Sequence, residues 1–397
     1  MSDVKNKSLL IFISLSFVYL GILISLEGMI NKSLSLYFGY SLSYFVAVDG
    51  LIFVTSVIFN VAYRYIAKII EIKSILLISY VIFIVLLLLI FISVNIKDII
   101  LYSMSVILLG IPIGIFYPAM NEGLYLISNN RNQHFRITCF ENALWSIGFF
   151  IGAVIVNFII ELIDFKFVYI FMSIMSLIYF ILLFFKIKNQ ARLNDTNKER
   201  LNRANGRFQF SGRTIILFLG LAFMALTSFQ SLFEYWMPNY IKSISLINPE
   251  FYGVIIGAYG IGQFITRLYF SVKFSLKNTL SSLILKLYIL LTLSASLLFF
   301  SESELILIAI CFLLGVFSGP LFPAIIADGM SIQTGNGSEK TVSTLIAFMT
   351  AGFILSVWCS SWFFYEINLQ YICTLLFILV LIGLILYSIK SYLSRTN

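Results

Sequence analysis

The chain has 397 residues, 60% of them hydrophobic and 11% charged, with a mean hydropathy of +1.00 and a formal net charge of +8. So little charge over so much apolar surface excludes a water-soluble globular domain. Backbone groups in lipid must be satisfied internally, which leaves helices or closed barrels, and the apolar runs here are too long and continuous for barrel strands.

In chain order, the apolar runs predict twelve membrane-spanning helices, at residues 8–30, 41–63, 74–94, 98–120, 138–160, 166–186, 214–236, 250–272, 279–300, 304–326, 342–363 and 368–389. The first run is too long for a signal peptide and lacks a small-residue cleavage site, so it is expected to be a retained helix. With the N-terminus inside, four of the 26 Lys and Arg fall outside (Lys32, Lys97, Lys166 and Lys242) and Lys286 falls within a span, which leaves 21 on the inner side. The positive-inside rule then puts both termini in the cytoplasm, in a cell (inner) membrane. The basic excess reads as orientation, with no nucleic-acid partner.

Span 1 carries Glu27 in its outer third, followed by Gly28, and span 2 carries Asp49 beside Gly50. Span 4 holds GIPIGIFYPAMNEG, Gly110 to Gly123. Span 5 opens with FENALWSIGFFIG, Phe140 to Gly152, in which Gly148 and Gly152 lie four apart and make a smooth face for close helix packing. The stretch from Lys186 to Arg213 has eight basic and two acidic residues. It is too polar to enter lipid and too short for a domain, so it is expected to link two halves, with room for a short amphipathic surface helix. Span 7 contains SFQSLFEYWMPNY, Ser228 to Tyr240, whose Glu234 occupies nearly the depth of Glu27. Span 8 is glycine-rich (Gly253, Gly257, Gly260, Gly262), and span 11 carries Thr350, Gly352 and Trp358. Span 10 spells span 4 again as GVFSGPLFPAIIADG, Gly315 to Gly329.

Gly110, Gly114, Pro118 and Ala119 match Gly315, Gly319, Pro323 and Ala324 at an offset of 205, and Phe59, Lys68 and Glu161 match Phe264, Lys273 and Glu366 at the same offset. This repeat predicts an all-α membrane protein of 12 transmembrane helices in two pseudo-symmetric six-helix bundles, 1–187 and 213–397, joined by a cytoplasmic linker, 188–212. Spans 3, 6, 9 and 12 are plain. That pattern predicts a cavity built from spans 1, 4, 7 and 10, with 2, 5, 8 and 11 beside them. Helix-bending Gly and Pro at the same place in two halves point to the substrate pathway of a transporter.

These residues resemble the major facilitator superfamily, in topology over the whole chain. Within it, the Gly114-x6-Asn121 spacing and GVFSGPLFPA in span 10 are similar to the fucose-permease-like sugar–proton symporters. Trp236 near the outer end of span 7 is similar too, with Gln230 where that group often has Glu. The resemblance implies that an acid in span 4, here Glu122, carries protons. The chain departs from the superfamily's loop motif after span 2, G-x-x-x-D-R-x-G-R: Asn60 replaces the first Gly, Arg64 the Asp, Tyr65 the Arg and Ala67 the second Gly, and only Lys68 keeps its charge. The span-5 signature of drug–proton antiporters, a G-P followed by paired Gly, is absent after Gly152, which speaks against efflux.

A transporter needs a midplane site that faces each side in turn, and a driving ion. An ionisable group inside a span costs about 2.5–3.5 kcal/mol at the helix centre and is a functional suspect by default. The proton-coupling candidates are Glu27, Asp49, Glu122, Glu141 and Glu234, because a buried carboxyl group can load a proton on one side and release it on the other. The competing readings are a structural hydrogen bond for Asp49, a water-reached outer end for Glu27, and an interfacial anchor for Glu122. Glu141 also suits a helix N-terminus. The substrate-binding candidates are the amides Asn121, Asn142, Gln230 and Gln263 and the rings of Tyr117, Trp145, Tyr235, Trp236, Phe317 and Phe322. Single aromatics of this kind also serve packing or the interface belt. Asp328 reads as an inner-interface residue, Arg267 as an anchor or gate pair at the inner interface, Lys286 as snorkelling, and His134 as a surface loop residue. Cys139, Cys311, Cys359 and Cys373 read as core residues without metal or disulfide spacing. No metal, cofactor or enzyme chemistry is expected, since no metal set, nucleophile with base or phosphate-cradling loop is spelled out. The expected function is proton-coupled uptake of a small polar solute such as a sugar, by a monomer in the lipid bilayer. A proton-coupled exporter of a metabolite or drug, and a non-transporting sensor or scaffold of the same fold, are the alternatives.

Overall fold

The computed structural model describes residues 7–67, 69–128, 131–187, 213–244, 247–273, 280–300, 303–332, 336–363 and 371–396. The expected linker, 188–212, lies outside them. The helices are α1 (Lys7–Phe38), α2 (Leu42–Ile66), α3 (Ile72–Ile96), α4 (Ile99–Leu108), α5 (Gly110–Ile127), α6 (Arg131–Leu162), α7 (Phe167–Ile187) and α8 (Arg213–Ser243). After these come α9 (Tyr252–Lys273), α10 (Leu280–Ser296), α11 (Glu304–Ser318), α12 (Leu321–Ile332), α13 (Asn336–Ile354), α14 (Ser360–Phe363) and α15 (Tyr371–Thr396). No strand occurs among the described residues.

Each predicted span falls on one helical pass. Pass 4 is α4 with α5, pass 10 is α11 with α12, and pass 11 is α13 and α14 joined by a π-helical turn, Leu355–Cys359. Ten helical segments are long and apolar enough to cross a membrane by composition alone. Of the other two passes, α9 falls short because four glycines and Gln263, Thr266 and Arg267 dilute it. Pass 11 contributes only the shorter apolar stretch Thr344–Trp358. Several helices overrun the predicted ends: α1 continues to Phe38, α6 starts at Arg131 and α8 runs to Ser243. A hydropathy window measures the hydrocarbon layer, about 30 Å thick, whereas backbone hydrogen bonding continues through the polar ends. Gly39, at φ +76°, ends α1, and the Ser41 side chain then caps α2 by accepting from Tyr44 N–H.

Packing repeats between the halves. In the first, α1 packs on α6, α2 on α5 and α3 on α7; in the second, α8 packs on α13, α9 on α11 and α10 on α15. The repeated glycines serve this pairing. A Cβ at Gly110 or Gly114 would overlap the α2 carbonyl oxygens of Ile52 or Ser56, and one at Gly315 would overlap the Tyr259 carbonyl of α9. Only a bare Cα lets two backbones approach so closely. Gly148 and Gly152 do the same for α6 against Val18 and Ile22 of α1. Pass 4 is interrupted at Leu109 and pass 10 between Ser318 and Leu321. Pro118 lies inside α5, whereas Pro323 stands in the first turn of α12, where its missing N–H has no intrahelical partner to lose.

The plain passes face outward. Large apolar side chains are exposed along α3 (Ile78, Val81, Val85), α7 (Ile174, Leu177, Ile181), α10 (Ile289, Leu293) and α15 (Ile378, Ile382, Ile385). In water such faces would be an aggregation hazard; in lipid they are the solvated surface.

Several sequence-based placements shift. Asp328 is not interfacial but buried, accepting from Lys390 Nζ at 2.6 Å and Tyr387 OH at 2.8 Å. His134 lies within α6 rather than in a loop, with Nδ1 3.3 Å from Ser128 Oγ. Cys139, Cys311 and Cys373 are buried and free.

Candidate substrate cavity

A cavity of about 130 Å³ opens where passes 1, 2, 4, 5, 7, 8, 10 and 11 converge. Among the described residues, passes 3, 6, 9 and 12 contribute nothing to its wall. Much of that wall is apolar: Phe17, Phe53, Phe322, Phe353 and Met349 face inward. Two carboxyls enter it, Glu27 from α1 and Glu234 from α8, 6% and 4% exposed.

Glu27 holds a particular position. Its Oε2 accepts from the Tyr235 hydroxyl, which ties α1 to α8 across the two halves. It also lines a second, smaller cavity of about 20 Å³ that contains Asp49, Asn31, Tyr102 and Tyr169. Asp49 Oδ2 accepts from Asn31 Nδ2 at 2.6 Å, and Asp49 is 2% exposed. Glu27 is thus the shared wall between the central cavity and the Asp49 chamber.

One end of the cavity is shut. Lys242 Nζ donates to the Met29 carbonyl at 2.7 Å, Lys32 Nζ to the Lys242 carbonyl at 3.0 Å, and Asn239 Nδ2 to the Gly28 carbonyl at 3.4 Å. Below this seam the Phe53 and Phe353 rings stack at 5.2 Å between centroids. These contacts join residues 27–32 of α1 to 234–242 of α8. Nearer their first residues the two helices lean on their own halves, α1 on α6 through Val18 and α8 on α13 through Gly220.

Of the residues singled out in the sequence, Glu27, Glu234, Tyr117, Asn142, Trp145, Gln230, Tyr235, Phe322 and Gly114 stand in the wall. Others stand outside it. Trp236 is 1% exposed and donates from Nε1 to Ser360 Oγ at 2.7 Å, within the second half. Gln263 is fully buried between Ser146 and Ser318. Asn121 Nδ2 is spent on the Tyr117 carbonyl at 2.9 Å, and Phe317 is half-buried away from the cavity. Glu122 accepts from the Tyr63 hydroxyl. Glu141 is fully buried well inside α6, so it caps nothing; its Oε1 accepts from Ser14 Oγ at 2.7 Å and its Oε2 has no partner among the described residues.

Arg267 is the residue whose place differs most from the sequence reading. It is not an interfacial anchor: it is 3% exposed and stands in the cavity wall. Five residues from a predicted helix end, it looked interfacial; its glycine-rich helix lets neighbouring backbone close over it. Asn60 was legible only as a departure from the loop motif, yet its side chain also lines the cavity.

Paired helical halves around a cavity with buried acids, and a lipid-facing apolar exterior, are the build of a membrane transporter. The model of the Major Facilitator Superfamily matches residues 8–332, and the chain belongs to that family. It is also 25% identical over 351 residues to the protein named Protein TsgA homolog of Buchnera aphidicola subsp. Schizaphis graminum (strain Sg), covering 86% of this chain and 85% of that one.

Proposed function

We propose that the chain takes up a small solute together with protons, by alternating access across a cell membrane with both termini in the cytoplasm. The observation that carries the reading is Glu27, which faces the central cavity, borders the Asp49 chamber and accepts a hydrogen bond from Tyr235 of the opposite half. A carboxyl so placed links its own protonation to contact between the halves. With the orientation expected from the basic residues, the seam at Lys32 and Lys242 is an outer gate, closed between α1 and α8. Each proton moving inward down 100 mV supplies about 2.3 kcal/mol.

The test is accumulation in proteoliposomes under an imposed pH gradient. Glu27→Gln and Asp49→Asn are expected to abolish accumulation while sparing solute exchange. Equal accumulation by native and doubly neutralised protein would sink proton coupling through these groups. Export is the second reading, favoured by the apolar share of the wall. Loss of the protein would then sensitise cells to a compound, whereas uptake predicts a growth defect on a nutrient.

A further inference from the structure

The sequence-based expectation of a sugar asks the cavity to answer many hydroxyl groups. Part of the polar supply of the wall is already spent. Asn142 Nδ2 is committed to the Thr138 carbonyl at 2.9 Å, Ser56 Oγ to the Phe53 carbonyl at 2.9 Å, and Thr350 Oγ1 to the Ile346 carbonyl at 2.9 Å. Polar groups bonded to their own helix have little left for a ligand.

Arg267 is different. Its Nε donates to the Gly319 carbonyl at 2.8 Å, and its Nη1 donates to the Asn142 carbonyl at 3.0 Å and to Ser146 Oγ at 2.5 Å. These bonds fix the guanidinium from two passes, and its carbon stands 5.6 Å from the centroid of the Trp145 ring. No bond to Nη2 is among them, and that atom is not one of the buried polar atoms closed off without a partner. Nη2 is therefore partly accessible, on a residue that lines the cavity. No carboxylate lies within ion-pair distance of Arg267 among the described residues. A cation is held rigidly at a cavity wall with one edge free of hydrogen bonds, and a buried charge is best settled when a group of opposite sign bonds that edge.

We infer that the transported ligand carries a single negative charge, a carboxylate that docks on Arg267 Nη2 beside the Trp145 ring, with the rest of the molecule against the phenylalanine side of the wall. With Glu27 and Glu234 protonated, Arg267 is the one charge facing the cavity among the described residues that line it, and a single carboxylate neutralises it. The inference rests on the proposed transport only for the ligand's movement across the membrane. The docking itself is a property of the cavity.

Two matched pairs test it: phenylacetate against phenylacetamide, and gluconate against glucose. Binding to purified native protein is read by tryptophan quenching and by thermal shift. In at least one pair the acid is expected to bind about tenfold or more tightly than its neutral partner, because a charged hydrogen-bonded contact is lost in the latter. Arg267→Gln is expected to erase that preference. Arg267→Lys, which keeps the charge without the fork, is expected to retain part of it. Equal or tighter binding of the neutral member in both pairs, or no binding by any of the four, overturns the inference, and neither result needs a folded variant. Transport separates the two readings. A neutral member accumulated under a pH gradient would leave transport standing and remove the anion site. An acid that binds through Arg267 yet never moves would do the reverse.

Discussion

Gly28→Ala is the sharpest probe of how the halves move. A Cβ at this position would overlap the Glu234 carbonyl oxygen and stand 3.2 Å from both the Glu234 carbonyl carbon and Pro238 Cγ. The obstruction is mostly helix backbone, so no rotamer change relieves it, and α1 and α8 must separate at the shut end. Overpacking of this kind costs about 1–3 kcal/mol. The cost falls only on the form in which this seam is closed, so it shifts the balance toward the opposite-facing form by about 5- to 150-fold. The readout is a cysteine at Ile24, which lines the cavity, labelled by a membrane-impermeant maleimide added from either side. Ile24→Cys alone is expected to label from the cytoplasmic side, and the pair with Gly28→Ala from the outside. Gly220→Ala is the control: its Cβ would overlap the Phe348 ring, a side chain within the second half, so it should lower stability without moving the label. If Gly28→Ala labels like its parent from both sides, the seam is not a gate.

Single contacts give further expected outcomes. Tyr235→Phe removes the donor that Glu27 receives from the other half; leaving a buried acceptor unmet costs about 1–3 kcal/mol, so outside labelling at Ile24→Cys should rise as it does for Gly28→Ala. Asp328→Asn strands the buried Lys390 charge, which should cost about 3–5 kcal/mol and lower the melting temperature in detergent. Adding Lys390→Met should restore most of that loss, and a double variant that melts no higher than the single one would show the pair is not the cause. Pro118→Ala returns a backbone donor inside α5. It is expected to leave stability equal or higher while slowing transport, and unchanged turnover would mean that this proline has no part in the motion.

The architecture was legible because lipid leaves few choices. Apolar length marks a helix, and a repeat at fixed offset marks duplication, as Gly110 and Gly315 did. Which spans face the cavity was legible for the same reason: plain helices tolerate lipid, and helices carrying Glu27, Asn142 or Gln230 do not. The side chains within those spans were harder to sort. Trp236 and Gln263 carry the chemistry of a binding residue, but a helix has several faces, and both point into their surroundings rather than the cavity. Rotation about a helix axis is set by packing against neighbours, and no single sequence records it.

Depth was the second blind spot, and it explains Arg267. Counting from a predicted end placed this residue near water, where a cation anchors a helix. What buries it is the approach of α6, made close by Gly253, Gly257 and Gly260 on one face of α9, where added side chains would meet Ala153, Asn157, Phe150 and Ser146. With α6 that near, the guanidinium is kept from the lipid–water interface and bonds inward, to Asn142 and Ser146 of one half and Gly319 of the other. The glycines therefore do more than pack two helices. They convert a residue that would snorkel on any bulkier helix into a fixed charge at the cavity wall, so Gly260→Val should weaken the selectivity for anions assigned to Arg267 without touching the residue itself. Retained selectivity in a folded Gly260→Val variant, read with phenylacetate and phenylacetamide, would separate the arginine's position from the helix contact.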